Sequence, residues 1–210
     1  MSINTFFRKL KTIPDCPDIS DQNFSKIIDL PGKVPVQDLS SIKQPETAKS
    51  KYSIGRYNEK RPNMYKGDLF EQTGRYIHMG IDIGAPIGTP IKSFDKGEIF
   101  MYKNNNRVLD YGYTIITRHT INNQDFFALY GHLSENSIKD KYVGKSINAG
   151  DVIGYIGSEK ENGGWPPHIH FQLSLIQPKE CDLPGVVSDK NHDLALKVFP
   201  DPRIVLGQLY

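Results

Sequence analysis

Cysteine is almost missing from this chain of 210 residues, which holds only Cys16 and Cys181. The two share no metal-ligand spacing, so they exclude a cysteine-based metal site, and two unpaired thiols are the simpler reading than one disulfide. Such low usage suits a reducing compartment and equally the bacterial envelope. Long hydrophobic runs are absent too, and no stretch approaches the roughly 20 apolar residues of a membrane-spanning helix. An excess of one charge is also lacking. The net charge is +2, and Lys and Arg are scattered with no basic run interleaved with aromatics. Neither nucleic acid nor a membrane is therefore an expected partner. The first eleven residues, MSINTFFRKLK, place their basic residues after a very short apolar patch, and Pro14 and Asp15 follow soon after. That is not the order of a secretory signal. The expected location is cytoplasmic, with export by another route left open. No long helical pattern and no solenoid repeat is present.

What remains is enough for one domain with an extension, large enough to bury roughly 70% of its unfolded surface. Residues 1–50 read as an N-terminal extension. Phe24, Ile27, Ile28 and Leu30 suggest one short amphipathic helix, capped by Ser20 or Asp21 and stopped by Pro31-Gly32. Residues 33–50, rich in Lys, Ser, Gln and Pro, read as a linker or surface strap, and 51–74 as an irregular lead-in. From Arg75 onward, short β-branched and apolar runs alternate with Gly, Pro, Asn and Asp. Strands are expected at Ile91, at Glu98–Tyr102 and at Val152–Ile156, with short ones framed by Val143-Gly144 and Ala149-Gly150-Asp151. Tyr113–His119 and Asp125–Tyr130 should form a hairpin around Asn122-Asn123. Many short strands at close spacing indicate an all-β fold, a compact sandwich or barrel.

Two stretches carry chemistry. In HIHFQL, strand alternation puts His168, His170, Gln172 and Ser174 on one face and Ile169, Phe171, Leu173 and Leu175 on the other, the core side. In HMGID, His78, Gly80 and Asp82 face one way and Met79, Ile81 and Ile83 the other, and Gly80 leaves room for something to sit between the ionisable groups. Helical spacing would also join His78 to Asp82, but Gly80, Gly84 and Pro86 argue against a helix. Two imidazoles and a carboxylate, with water in a fourth position, make a catalytic zinc site.

HMGID at 78–82, GTP at 88–90, DKG at 95–97, YGHLS at 130–134, Gly144 with AGDVIG at 149–154, and PHIHF at 167–171 occur in that order. As an ordered set they resemble the lysostaphin/LytM-type zinc metallopeptidases, the glycyl-glycine endopeptidase family, over about residues 75–176. The resemblance implies a β-sandwich with a duplicated hybrid motif, a metallopeptidase domain within 51–210, and one zinc ion per chain. It implies His78, Asp82 and His170 as the zinc ligands, and His132 and His168 as the two further active-site histidines. Activity would be hydrolysis of peptide bonds in peptidoglycan-type or related peptides by a zinc-activated water. The stretch 163–173, with DLPGV at 182–186 and FPDP at 199–202, resembles a branch in which the domain also occurs joined to aminotransferase- or kinase-like partners, so association with other enzymes is an expectation.

Other residues have plainer readings. His119 is expected to be structural or at the edge of the site, and His192 solvated. Tyr113 and Tyr130 either line a substrate groove or pack, and Tyr130 shares the strand parity of His132. Trp165 shapes the loop before His168. Thr89 and Ser134 have no base beside them and read as turn residues. The competing functional reading is a non-catalytic binding or regulatory module on the same fold. A metal-binding protein without hydrolytic activity would keep zinc yet tolerate loss of His132 and His168.

Overall fold

The computed structural model describes residues 6, 7, 10, 12–40, 50–65 and 74–210. Eleven strands are present among them: β1 (Ser53–Gly55), β2 (Ile77–His78), β3 (Ile81–Gly84), β4 (Pro90–Lys92), β5 (Gly97–Asn105), β6 (Gly112–Ile121), β7 (Gln124–Leu133), β8 (Ser146–Ile147), β9 (Val152–Tyr155), β10 (His168–Ser174) and β11 (Val186–Val187). Two helices close the chain, α1 (Asp189–Val198) and α2 (Arg203–Leu206). The main sheet is antiparallel, with strand order β1-β3-β10-β7-β6-β5-β8; β4 pairs with β9 and β2 with β11 in two small sheets. The expected hairpin is β6–β7. Asn122 and Asn123 turn it with φ of 49° and 63°, the positive pair that a two-residue turn needs to match strand twist.

Alternation along these strands feeds two cores. Ile81, Ile83, Ile115, Ala128, Tyr130, Ile169 and Phe171 point to one face, where Ile91 of β4, Ile153 of β9 and Phe94 cover them. Ile116, Phe127 and Leu129 point to the other, beneath Ala195 and Val198 of α1 together with Phe199, Cys181 and Leu183. The fold is mostly strand, as expected, and its second face is roofed by the C-terminal helix. The sequence shows no helical pattern there, because α1 has few apolar side chains and only Ala195 and Val198 are buried, while Leu196 is exposed.

The helix expected near residues 20–31 does not form. The segment runs irregularly: Lys92 N donates to the Ile27 carbonyl at 2.8 Å, and Ser25 N donates to the Phe94 carbonyl at 2.8 Å. Ile27 and Ile28 are buried in the first core. The same apolar residues that suggested a helix face are satisfied by lying against the β4 region, so tertiary packing overrides local preference. Of the expected linker, residues 41–49 lie outside the described residues. Within 33–40, Val36 forms a parallel bridge to Ile54 of β1. Cys16 is exposed, Cys181 buried, and both are free. No helix among the described residues is long and apolar enough to cross a membrane.

Candidate metal centre

The HMGID stretch is not one strand. β2 pairs His78 with Val186, whereas β3 pairs Asp82 with His170 and Gly84 with His168. Ile77 and Met79 enter the second core, and Ile81 and Ile83 the first. The expectation that Met79 shares a face with Ile81 and Ile83 is thereby corrected: the chain passes from one layer to the other at Gly80. The room left by Gly80 is taken by His170. A Cβ there would stand 2.6 Å from both Cε1 and Nε2 of that ring and 2.8 Å from the Phe171 carbonyl oxygen.

His170 sits directly across from Asp82 on the neighbouring strand, and its Nδ1 lies 2.9 Å from Asp82 Oδ1. His78 Nε2 is 3.0 Å from His170 Nδ1 and 3.2 Å from the same Oδ1. The opposite edges of both rings are occupied. His78 Nδ1 donates to the Arg56 carbonyl at 2.9 Å, and His170 Nε2 donates to Gln172 Oε1 at 3.1 Å. Gln172 is itself held, its amide nitrogen donating to the Pro184 carbonyl at 3.3 Å. With those protons assigned, three atoms converge as acceptors: two imidazole lone pairs and a carboxylate oxygen. Nothing reconciles them better than a cation. Donors at about 2.1 Å from a tetrahedral zinc stand roughly 3.4 Å apart, and all three separations fall only a few tenths of an ångström short of that. The donor set fits zinc, and outer partners that fix the ring tautomers are usual at such centres.

Electrostatics keep Asp82 ionised and His78 neutral. Burial would raise the Asp82 carboxyl, but the Arg61 guanidinium, donating to Oδ2 at 2.7 Å, helps hold the group well below the usual carboxylate range. Burial, reinforced by the Arg61 charge, pushes His78 down to about 4.

Two further imidazoles flank the cluster. His168 Nδ1 donates to the Pro166 carbonyl at 2.7 Å, and its Nε2 reaches to 3.8 Å from Asp82 Oδ1. His132 Nδ1 donates to the Asn162 carbonyl at 2.8 Å. Each therefore keeps a lone pair on Nε2. The two rings stack with centroids 4.2 Å apart. Burial lowers the basicity of both, and in His132 the neighbouring His168 and His170 lower it further. His132 has φ of 62°, a left-handed conformation that costs a non-glycine residue of order 1 kcal/mol and is common at functional sites. It turns the ring out of strand alternation. Tyr130 accordingly does not share its face but packs on Phe171 in the first core. Tyr113 packs at the edge of that core as well.

All five residues line one groove of about 1180 Å³. Trp165 lines it too, its ring 6.4 Å from that of His132, and Asn162 Nδ2 donates to its carbonyl at 2.8 Å. Sequence reasoning missed Tyr111, Arg61 and Tyr65, which line the groove beside the cluster. The Tyr111 ring packs against His170 with centroids 5.1 Å apart and a 51° tilt, and its hydroxyl donates to the Leu183 carbonyl. Its signal was Gly131 in the middle of a strand, where a Cβ would meet the Tyr111 ring at 2.7 Å. Arg61 and Tyr65 come from the stretch read as an irregular lead-in and carried no signal. His119 is not at the site. It is buried, 2.6 Å from Thr117 Oγ1 and 2.9 Å from the Lys96 carbonyl. His192, expected to be solvated, is half-buried on α1 and bonds Asn58 Oδ1 at 2.6 Å. Thr89 Oγ1 donates to the Pro86 carbonyl within its turn, and Ser134 Oγ meets Ser137 Oγ.

A strand-borne candidate centre of this donor type, opening onto a groove with two further imidazoles beside it, is an arrangement that suits single-metal hydrolysis. Residues 76–182 match the model of peptidase family M23, and the chain belongs to that family. It is 31% identical over 112 residues to the DD-carboxypeptidase/endopeptidase Mpg of Neisseria meningitidis serogroup B, a match covering 51% of this chain and 23% of that protein. It is 36% identical over 112 residues to the L-Ala--D-Glu endopeptidase of Bacillus subtilis, covering 51% and 32%. The chain spans less than a third of the length of these curated relatives. Among solved structures, the catalytic domain of lysostaphin from Staphylococcus simulans aligns with a TM-score of 0.50 at 26% identity, covering 75% of this chain and 93% of that one.

Proposed function

We propose that the chain is a zinc-dependent endopeptidase domain acting on peptide bonds of peptidoglycan-type peptides, with one zinc ion held by His78, Asp82 and His170. The carrying observation is the convergence of three proton-free donor atoms whose outer edges are already hydrogen-bonded. A divalent ion held by these three residues would supply Lewis acidity toward a carbonyl oxygen and toward water. The chain's own residues do the rest. Because His132 and His168 stack at 4.2 Å, like-charge repulsion allows only one of them to be protonated at a time. One Nε2 takes a proton from the attacking water as its oxygen bonds to the carbonyl carbon. The resulting imidazolium faces the oxygen that gains negative charge, and its proton leaves on the amine when the carbon–nitrogen bond breaks. The open groove accepts an extended peptide on either side of that point. The names of the Neisseria and Bacillus relatives, a DD-carboxypeptidase/endopeptidase and an L-Ala--D-Glu endopeptidase, support peptides with D-amino acids as the substrate class.

The test is zinc content together with release of new amino termini from peptidoglycan peptides. About one zinc per chain and cleavage are expected in the wild type. His132→Ala should keep the zinc and lose 10²–10⁴-fold in turnover. A wild-type protein that takes up no zinc would end this reading. A His132→Ala variant with unchanged turnover would remove that histidine from the chemistry.

A further inference from the structure

Arg61 is the largest fully buried side chain of the described residues, although it comes from a stretch with no regular structure. Burying a guanidinium is costly, and a buried ion pair is poor grounds for stability, so the contacts it makes call for another explanation. Nη1 donates to Asp82 Oδ2 at 2.7 Å and to the Tyr65 hydroxyl at 3.0 Å. Nε donates to Glu59 Oε2 at 2.9 Å. Nη2 donates at 3.3 Å to the Arg56 carbonyl, the same oxygen that receives the proton of His78 Nδ1. One planar group therefore grips the outer oxygen of one ligand and shares the acceptor that orients another. The fit is close: a Cβ on Gly55 would lie 2.7 Å from Arg61 Nη2.

We propose that Arg61, held by Glu59, is a positioning residue that makes Asp82 a one-oxygen ligand. This rests on the metal-site reading above and adds a constraint to it. With Oδ2 engaged by the guanidinium, only Oδ1 faces His78 Nε2 and His170 Nδ1, at 3.2 and 2.9 Å. A carboxylate free to offer both oxygens would fill the position that a hydrolytic centre leaves open for water. Lysine cannot substitute, because an ammonium is a point donor on a flexible stem and cannot hold Glu59, Asp82 and the Arg56 carbonyl in one plane.

The experiment loads cobalt(II) into the wild type, Arg61→Lys and Arg61→Met, and reads the visible absorption, whose intensity falls as the ion passes from four to five ligands. Zinc affinity is measured beside it by competition with a chromophoric chelator. The wild type should show the intense four-coordinate spectrum. Both variants should show the weaker five-coordinate one, with zinc affinity down about tenfold, the low end for loss of an outer partner, because removing or shifting a cation beside the metal offsets part of the loss. A purely structural role would change melting of the metal-free protein and leave the spectrum alone. Variants that load cobalt with the wild-type spectrum would overturn the proposal. If Arg61→Met does not fold, the charge-preserving Arg61→Lys decides it alone. A wild type that binds no cobalt would instead overturn the metal site itself.

Discussion

Gly80→Ala adds one methyl group and no charge, yet it should cripple the metal centre. The added Cβ falls 2.6 Å from Cε1 and Nε2 of His170, against an ordinary contact of at least 3.4 Å, so the ring must retreat by most of an ångström. It has nowhere to go. Its Nε2 is bonded to Gln172, the Tyr111 ring packs against it at 5.1 Å, and the Phe171 carbonyl oxygen stands 2.8 Å from the new methyl. Metal–ligand distances tolerate only about 0.2 Å. The displacement therefore exceeds what coordination allows several times over, and zinc affinity should fall at least 10–100-fold, the range for losing merely an orienting partner. Overpacking should also cost about 1–3 kcal/mol of stability, a drop in Tm of about 2–4 °C per kcal/mol at this chain length. Gly80 has no positive φ, so alanine suits the backbone and the effect is steric. Chelator competition for zinc, with thermal melting of the metal-free protein alongside, measures both quantities. Wild-type zinc affinity in Gly80→Ala would refute the packing argument, because it would mean that His170 does not fill the space beside Gly80.

Three further outcomes follow from the same geometry. Gln172→Met removes the acceptor that holds His170 Nε2–H, so the ring loses its fixed tautomer and zinc affinity should drop 10–100-fold in a chelator titration; an unchanged value would show that Gln172 orients nothing. Burial, aided by Asp110, raises the Asp182 carboxyl to about 6. The native state then binds a proton there that the unfolded chain has released, so this group's stabilisation is present below pH 4 and lost as pH rises toward 6. Asp182→Asn should remove that slope, worth at most about 3 kcal/mol between pH 4 and 7, in denaturant melts across the window; an identical pH profile in the variant would contradict it. Zinc binds only the folded site, so adding it at 100 times its Kd should stabilise by about 2.7 kcal/mol, seen as a rise in Tm that a chelator reverses and that Asp82→Ala lacks.

Much of the site could be read from local rules. Strand alternation in HIHFQL places His168 and His170 together on one side and Ile169, Phe171 and Leu173 in a core, and the structure has that arrangement. Paired asparagines between two apolar runs mark the β6–β7 turn. These signals survive in a bare sequence because they depend on a residue's immediate neighbours and on the two-residue period of a strand.

The remainder depends on groups brought together from far along the chain. Alternation would send His132 to the side of Tyr130, but a left-handed backbone at that one residue, pinned by Tyr111 and Gly157, turns it toward His168 and His170. Alternation would also align Met79 with Ile81, but the chain changes layers at Gly80 because His170, 90 residues later, fills the gap. Phe24 to Leu30 has the spacing of a helix and lies irregular against β4, since that is where its apolar side chains find a core. Arg61 looks like any charged residue of a polar loop, and only the fold turns its guanidinium inward to Asp82. Residue types and their local spacing supply the donors. Burial, and the partner each donor finds across the sheet, decide which atom of each faces the metal site.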